Sequence, residues 1–212
     1  MRGLSLWQLL VLVHVLAPQP AAAQRYALTI GNNFGDSDEG ALRWAEDDAL
    51  RTRTLLTELG DVAEKNATMV LGVDADGLRH ALNGLRERIA REKPGADSLL
   101  VAYYSGHGDA DSLHLAGSRF PLRELEHWLR AIPVATLVTI VDACRTPQSG
   151  VRSKGAHHSE PFDVRLSRDA GPSGRVMITA TGNDEVAQES DNLRSSFFTH
   201  HLLSGMRGAA DR

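Results

Sequence analysis

The sequence of 212 residues holds a single cysteine, Cys144. One thiol forms no intramolecular disulfide and no multi-thiolate zinc site, so a stapled mini-domain and a zinc ribbon are both excluded. Cys144 is then either a small buried hydrophobe or a working thiol. Charge of one sign is also scarce: 27 acids oppose 23 bases for a formal charge of -4, with no long block of either sign. Neither a nucleic-acid footprint nor a membrane-surface patch is indicated. Internal repeats and low-complexity tracts are lacking as well. A chain that is 42% hydrophobic and 24% charged has enough apolar material for one domain with a sizeable core, which excludes disordered, collagen-like and coiled-coil classes.

The first 23 residues read as a secretory signal peptide. Met1 and Arg2 make a short positive start, residues 4–16 an apolar stretch too short for a comfortable membrane span, and Ala21-Ala22-Ala23 supply small residues before Gln24. The expectation is a signal peptide over residues 1–23 and a globular domain over 24–212, secreted or periplasmic, monomeric, and without membrane attachment once the leader is removed. No twin-Arg pair is present, which favours export of an unfolded chain. Loss of Arg2 takes the formal charge from -4 to -5.

Beyond residue 24, strand-like and helix-like segments alternate, the pattern of an α/β fold with a mostly parallel sheet and helices on both faces. Strands are expected over residues 26–30, 67–71, 98–104, 136–141 and 175–180. A helix over 42–59 carries Leu42, Ala45, Ala49, Leu56 and Leu59 near helical spacing. A second begins at Asp76 as its cap, buries Leu78, Leu82, Leu85 and Ile89, and stops at Pro94-Gly95. A third covers 121–132, with Pro at its start, and a last one 196–206. Residues 146–174, rich in Pro, Gly, Ser and scattered bases, read as a long exposed loop.

Two of these strands end in reactive groups. One runs into Tyr104-Ser105-Gly106-His107-Gly108, the other into Asp142-Ala143-Cys144-Arg145. Ligands bind at the carboxyl ends of strands in open parallel sheets, and sequential strands joined by one helix are commonly neighbours. His107 and Cys144 then share one edge, and a Cys-His pair is the minimum for thiolate catalysis. Glycines on either side of a histidine suit a tight backbone or close ligand approach better than core packing. A phosphatase loop needs an arginine six positions after the thiol, where Gly150 stands. His157-His158 and His200-His201 lack metal-ligand spacing.

These two motifs, in this order, resemble those of the caspase-like peptidases, in particular their bacterial and metacaspase-type relatives. Residues 42–49, ending in Asp48-Ala49, and Phe197-Phe198-Thr199 are similar to further family segments. Caspases proper carry Gln two places before the cysteine and Gly two places after, where Asp142 and Thr146 stand here, and space the two residues by roughly 50 rather than the 37 found here (144 − 107). The resemblance implies Cys144 as nucleophile, His107 as acid and base, the N–H groups of Gly108 and Cys144 as oxyanion hole, and Asp48 and Asp142 in the pocket for a basic residue before the cut bond. Read as residues alone, Asp48 also fits a solvated helix-surface acid and Asp142 a turn former, the less favoured reading of each. The implied activity is a secreted cysteine endopeptidase cutting after Arg or Lys in proteins or peptides, with a catalytically silent protein-binding module as the alternative. No cofactor is implied. Some family members bind calcium, yet Asp36-Ser37-Asp38-Glu39 and Asp109-Ala110-Asp111 lack a complete ligand spacing. The resemblance also implies one more strand and helix after the last helix, whereas the sequence ends at Arg212, so the sheet is expected with its last strand and helix missing, or with an open edge.

Overall fold

A computed structural model describes residues 23–145, 174–180 and 189–210, with Cys144 and Arg145 by backbone alone. The expected leader, apart from Ala23, and the expected loop, apart from Gly174, lie outside the described residues.

Five parallel strands form the centre, in the order β2 (Ala67–Leu71), β1 (Arg25–Asn32), β3 (Leu99–Gly108), β6 (Thr136–Arg145), β7 (Arg175–Thr179). Their sequences are short apolar runs because both faces are covered. On one face, Tyr26, Leu28 and Ile30 of β1 and Leu100, Ala102 and Tyr104 of β3 pack against α2 (Ala75–Glu92) and α3 (Leu122–Arg130). On the other, Tyr103 and Ile140 meet Ala49 of α1 (Ala45–Glu58) and Phe198 of α4 (Phe197–Ser204). Helices therefore lie on both faces of a mostly parallel sheet, as the alternation of segments predicts.

The buried side of α1 consists of Ala45, Asp48, Ala49, Thr52, Leu55 and Leu56, at the three- and four-residue intervals of one helix face. Leu59 is exposed instead of joining that face, since it follows the last turn. Asp74, not Asp76, caps α2: its Oδ1 accepts from the Gly77 N–H at 2.8 Å, and Asp76 stands in the first turn. Lys93, at φ 50, ends the helix one residue before Pro94.

The stretch between β3 and α3 holds a hairpin that the hydrophobic pattern does not disclose. β4 (Ser112–Leu115) and β5 (Ser118–Pro121) turn at Ala116 and Gly117, both with positive φ. Alanine at such a position carries no turn signal. β1 ends opposite Gly106, and β4 takes over the side it vacates, with His114 opposite His107 and Leu113 opposite Gly108. A two-stranded ribbon, β8 (Glu189–Ser190) with β9 (Ser195–Ser196), precedes α4 and is likewise unannounced by the sequence. Its Glu189 carboxylate accepts from the N–H groups of Arg43 and Trp44 at 2.9 and 2.8 Å, filling orphan donors at the start of α1, where Trp44 offers no side-chain cap.

Candidate active site

His107 and Cys144 are paired positions of adjacent parallel strands. His107 alternates with its neighbours along β3, so with Tyr103 and Ser105 it belongs to the face that carries α1 and α4. Ser105 and Asp142, two positions earlier and also paired, share that face by the same alternation. Four residues drawn from two separate motifs thus gather at the carboxyl ends of the two central strands.

The glycines around His107 follow from close contacts. Tyr104 folds back over Gly106 on the opposite face, and its hydroxyl donates to the His107 carbonyl at 2.6 Å. A Cβ on Gly106 would fall 2.4 Å from that hydroxyl. On the His107 side, a Cβ on Gly35 would fall 2.8 Å from the imidazole Cγ. The loop after β1 therefore lies directly on the ring. His107 is 8% exposed, and its Nε2 is buried without a hydrogen-bond partner among the described residues.

The loop that carries Gly35 is tied down on both sides. Gly117 and Ala116 donate to the carbonyls of Gly35 and Phe34, each at 2.8 Å, and Leu42 donates to Asn33 O at 2.8 Å. Within it, Glu39 Oε2 accepts from the Asp36 N–H at 2.6 Å. Glu39 Oε1 lies 2.9 Å from Nδ1 of His114 and 3.7 Å from Nδ1 of His107. The other nitrogen of His114 faces Asp109 Oδ2 at 3.1 Å. Burial pushes the Asp109 carboxyl up, but hydrogen bonds from the Asp111 N–H, His114 and Ser112 overcome it and hold the group at about 2. Asp36, Glu39 and His114 each offer one ligand atom, all within 4.8 Å of one another. The Arg119 guanidinium already lies 2.6 Å from Asp36 and 2.9 Å from Asp109, so the negative charge there is compensated by the protein's own cation.

Asp48 lies 147 residues before Ser195 and Asp142 54 residues before Ser196, and the fold brings each acid to its serine. Asp48 is fully buried and Asp142 is 3% exposed. Asp48 accepts from the Ser195 hydroxyl at 2.6 Å and from the Ser196 N–H at 2.8 Å. Asp142 accepts from the Ser196 hydroxyl and from the Thr199 hydroxyl, the latter at 2.7 Å. Ser196 therefore links the two carboxylates, and its Oγ also accepts from the Thr199 N–H at 2.9 Å to cap α4. Burial pushes both carboxyls up to about 6 against these hydrogen bonds, with the Asp142 charge adding to the shift at Asp48. Neither residue is a solvated surface acid. Ser195, Ser196 and Thr199 are the partners that sequence reasoning misses, because only the docking of α4 brings their hydroxyls to the two acids. Gly108 is the next residue after His107, opposite Arg145 on β6. A cleft lined by Leu129, Leu137, Val176 and Met177 lies beside α3, on the face opposite this site.

A family model described as the caspase domain matches residues 24–212. Among solved structures, caspase-1 from Spodoptera frugiperda is similar in fold, with a TM-score of 0.62 at 15% identity over 89% of this chain and 70% of that chain. None of the curated protein sequences matches. An open parallel sheet flanked by helices, with the family match running from residue 24 to residue 212, makes the chain a member of the caspase family of cysteine peptidases.

Proposed function

We propose that the protein is a secreted cysteine endopeptidase that cuts after Arg or Lys, with Cys144 as nucleophile and His107 as general acid and base. The observation that carries this reading is the pairing of His107 with Cys144 on the two central strands. The Cys144 thiol gives its proton to His107 Nε2, and the thiolate attacks the carbonyl carbon of the substrate. The oxyanion that forms is held by the N–H groups of Gly108 and Cys144. The C–N bond then breaks as the imidazolium returns the proton to the leaving amine. Water, deprotonated by His107, releases the acyl group and regenerates the thiol. No step needs a metal or cofactor.

Asp48 and Asp142 give the pocket its preference. Two buried carboxylates repel when both are ionised, and a substrate guanidinium relieves that repulsion while accepting no proton. A substrate aspartate adds a third negative charge. Leaving such a charge uncompensated costs roughly 3 to 5 kcal/mol, which corresponds to discrimination of order 10² to 10³ or more. Secretion rests on the leader-like residues 1–23, and the protein acts as a monomer on protein or peptide substrates. The test is kcat/KM on matched peptides carrying Arg, Lys, Asp or Ala before the leaving group. Arg and Lys should lead, with Arg ahead because its planar fork reaches both oxygens of a carboxylate. Preference for Asp would overturn the specificity, and full turnover by Cys144→Ala would overturn the mechanism.

A further inference from the structure

We propose that Glu39 is the positioning residue for His107, acting on its Nδ1 from the loop between β1 and α1. The inference rests on the Cys144–His107 reading above. A histidine that exchanges protons through Nε2 needs its other nitrogen held, and the group that holds it fixes both the ring's orientation and its tautomer. Glu39 Oε1 is 3.7 Å from His107 Nδ1, a separation that closes readily when a substrate arrives, since catalytic hydrogen bonds are often long in the free enzyme. The ring's remaining nitrogen, Nε2, is the buried one without a partner among the described residues.

Glu39 is itself fixed. His114, 3% exposed, holds its carboxylate through Nδ1, and the Asp36 N–H donates to its Oε2. Behind it, Asp109 and Arg119 complete a row of polar contacts that ends at the exposed guanidinium of Arg119. The hairpin tip pins the loop from the outside through Ala116 and Gly117. Gly35 leaves room for the arrangement: a Cβ there would fall 2.0 Å from Glu39 Oε2 as well as 2.8 Å from the His107 ring. Among the described side chains, the titratable group that faces His107 from the loop is Glu39; on β6, Cys144 is the register partner of His107 and Asp142 stands two positions earlier. His114, Asp36, Asp109 and Arg119 act on it through Glu39.

The experiment compares the parent with Glu39→Gln and Glu39→Asp by kcat, KM and the pH profile of kcat/KM, using an Arg peptide. Removing the carboxylate should lower kcat by about 10- to 100-fold, the scale of a misplaced catalytic group, with KM within about threefold. Glu39→Asp keeps a carboxylate on the loop, so it should recover most of the parent's kcat and match its pH profile, which Glu39→Gln should not. A merely structural role would lower activity in both variants without changing the profile. Should Glu39→Gln fail to fold, His114→Asn carries the test: it leaves the Glu39 side chain in place without its anchor on His114 Nδ1, and kcat should again fall at constant KM. Parent-like kcat and profile in Glu39→Gln, or parent-like kcat in His114→Asn, would overturn the inference. His107→Ala and Cys144→Ala are measured alongside. If these stay active, the Cys144–His107 reading fails and this inference falls with it; if they are inactive while Glu39→Gln is parent-like, the inference alone fails.

Discussion

The imidazole of His107 sits where one extra methyl group cannot go. Gly35→Ala puts a Cβ against both the ring and Glu39, and the neighbours that must move are the two residues that the proposed mechanism relies on. Overpacking of this kind typically costs about 1 to 3 kcal/mol, and a displaced base can cost about 10² in rate. Gly35→Ala should therefore lose far more kcat than its melting temperature alone explains, which paired melts and kinetics would check. The two aspartates give a pH signature of their own. Their folded-state values, about 6, lie above the ordinary 3.8, so the native state binds more protons than the unfolded chain between those limits. Stability from these groups is greatest at low pH and declines as pH rises from about 4 to 6. Thermal melts should show that decline in the parent and lose it in an Asp48→Asn, Asp142→Asn double variant. Binding runs the other way, because a substrate cation needs the ionised form: KM for an Arg peptide should rise as pH falls below about 6. Asp142 and Asp48 were visible in the sequence as acids near motifs, but their burial was not, since it depends on Ser195, Ser196 and Thr199 arriving from the far end of the chain.

Among the elements, those with strong apolar periodicity were legible before the fold was known. Residues 98–104 and 136–141 are continuous apolar runs, and they form the core of β3 and β6; the Leu78, Leu82, Leu85 and Ile89 stripe is the buried side of α2. What escaped was held by local hydrogen bonds rather than by pattern. The β4–β5 hairpin turns through an alanine at φ 46, and the turn that leads from β3 into β4 is stabilised by Asp109 Oδ1 accepting from the N–H groups of Asp111 and Ser112, each at 2.8 Å. The same limit appears in the caps. Asp74 and Asp76 are both suitable by residue type, and geometry selects Asp74. Asp74→Ala should cost about 1 kcal/mol, within the range for lost caps, and Asp76→Ala less; equal melting temperatures for the two would contradict the assignment. Ser196→Ala should cost more than either, because it removes the cap of α4 and leaves Asp142 short of a donor in a buried site.

At the scale of the whole molecule, the sheet brings two short motifs to one edge and the helices bring acids and hydroxyls to the same face. The order of the strands carries that result: β3 and β6 are neighbours although the β4–β5 hairpin and α3 stand between them in the chain, so Tyr104-Ser105-Gly106-His107-Gly108 and Asp142-Ala143-Cys144-Arg145 meet although 37 positions (144 − 107) separate their reactive residues. In the proposed mechanism Cys144 becomes a nucleophile because His107 stands opposite it on the neighbouring strand. Its most direct test is covalent labelling with a peptide that carries Arg before a thiol-reactive acyloxymethyl ketone, read by mass spectrometry of the intact and digested protein. The account predicts one adduct per chain, on Cys144, formed much more slowly in His107→Ala and with an Asp-bearing probe. Labelling of His107→Ala at the parent's rate, or an adduct at any residue other than Cys144, would contradict it.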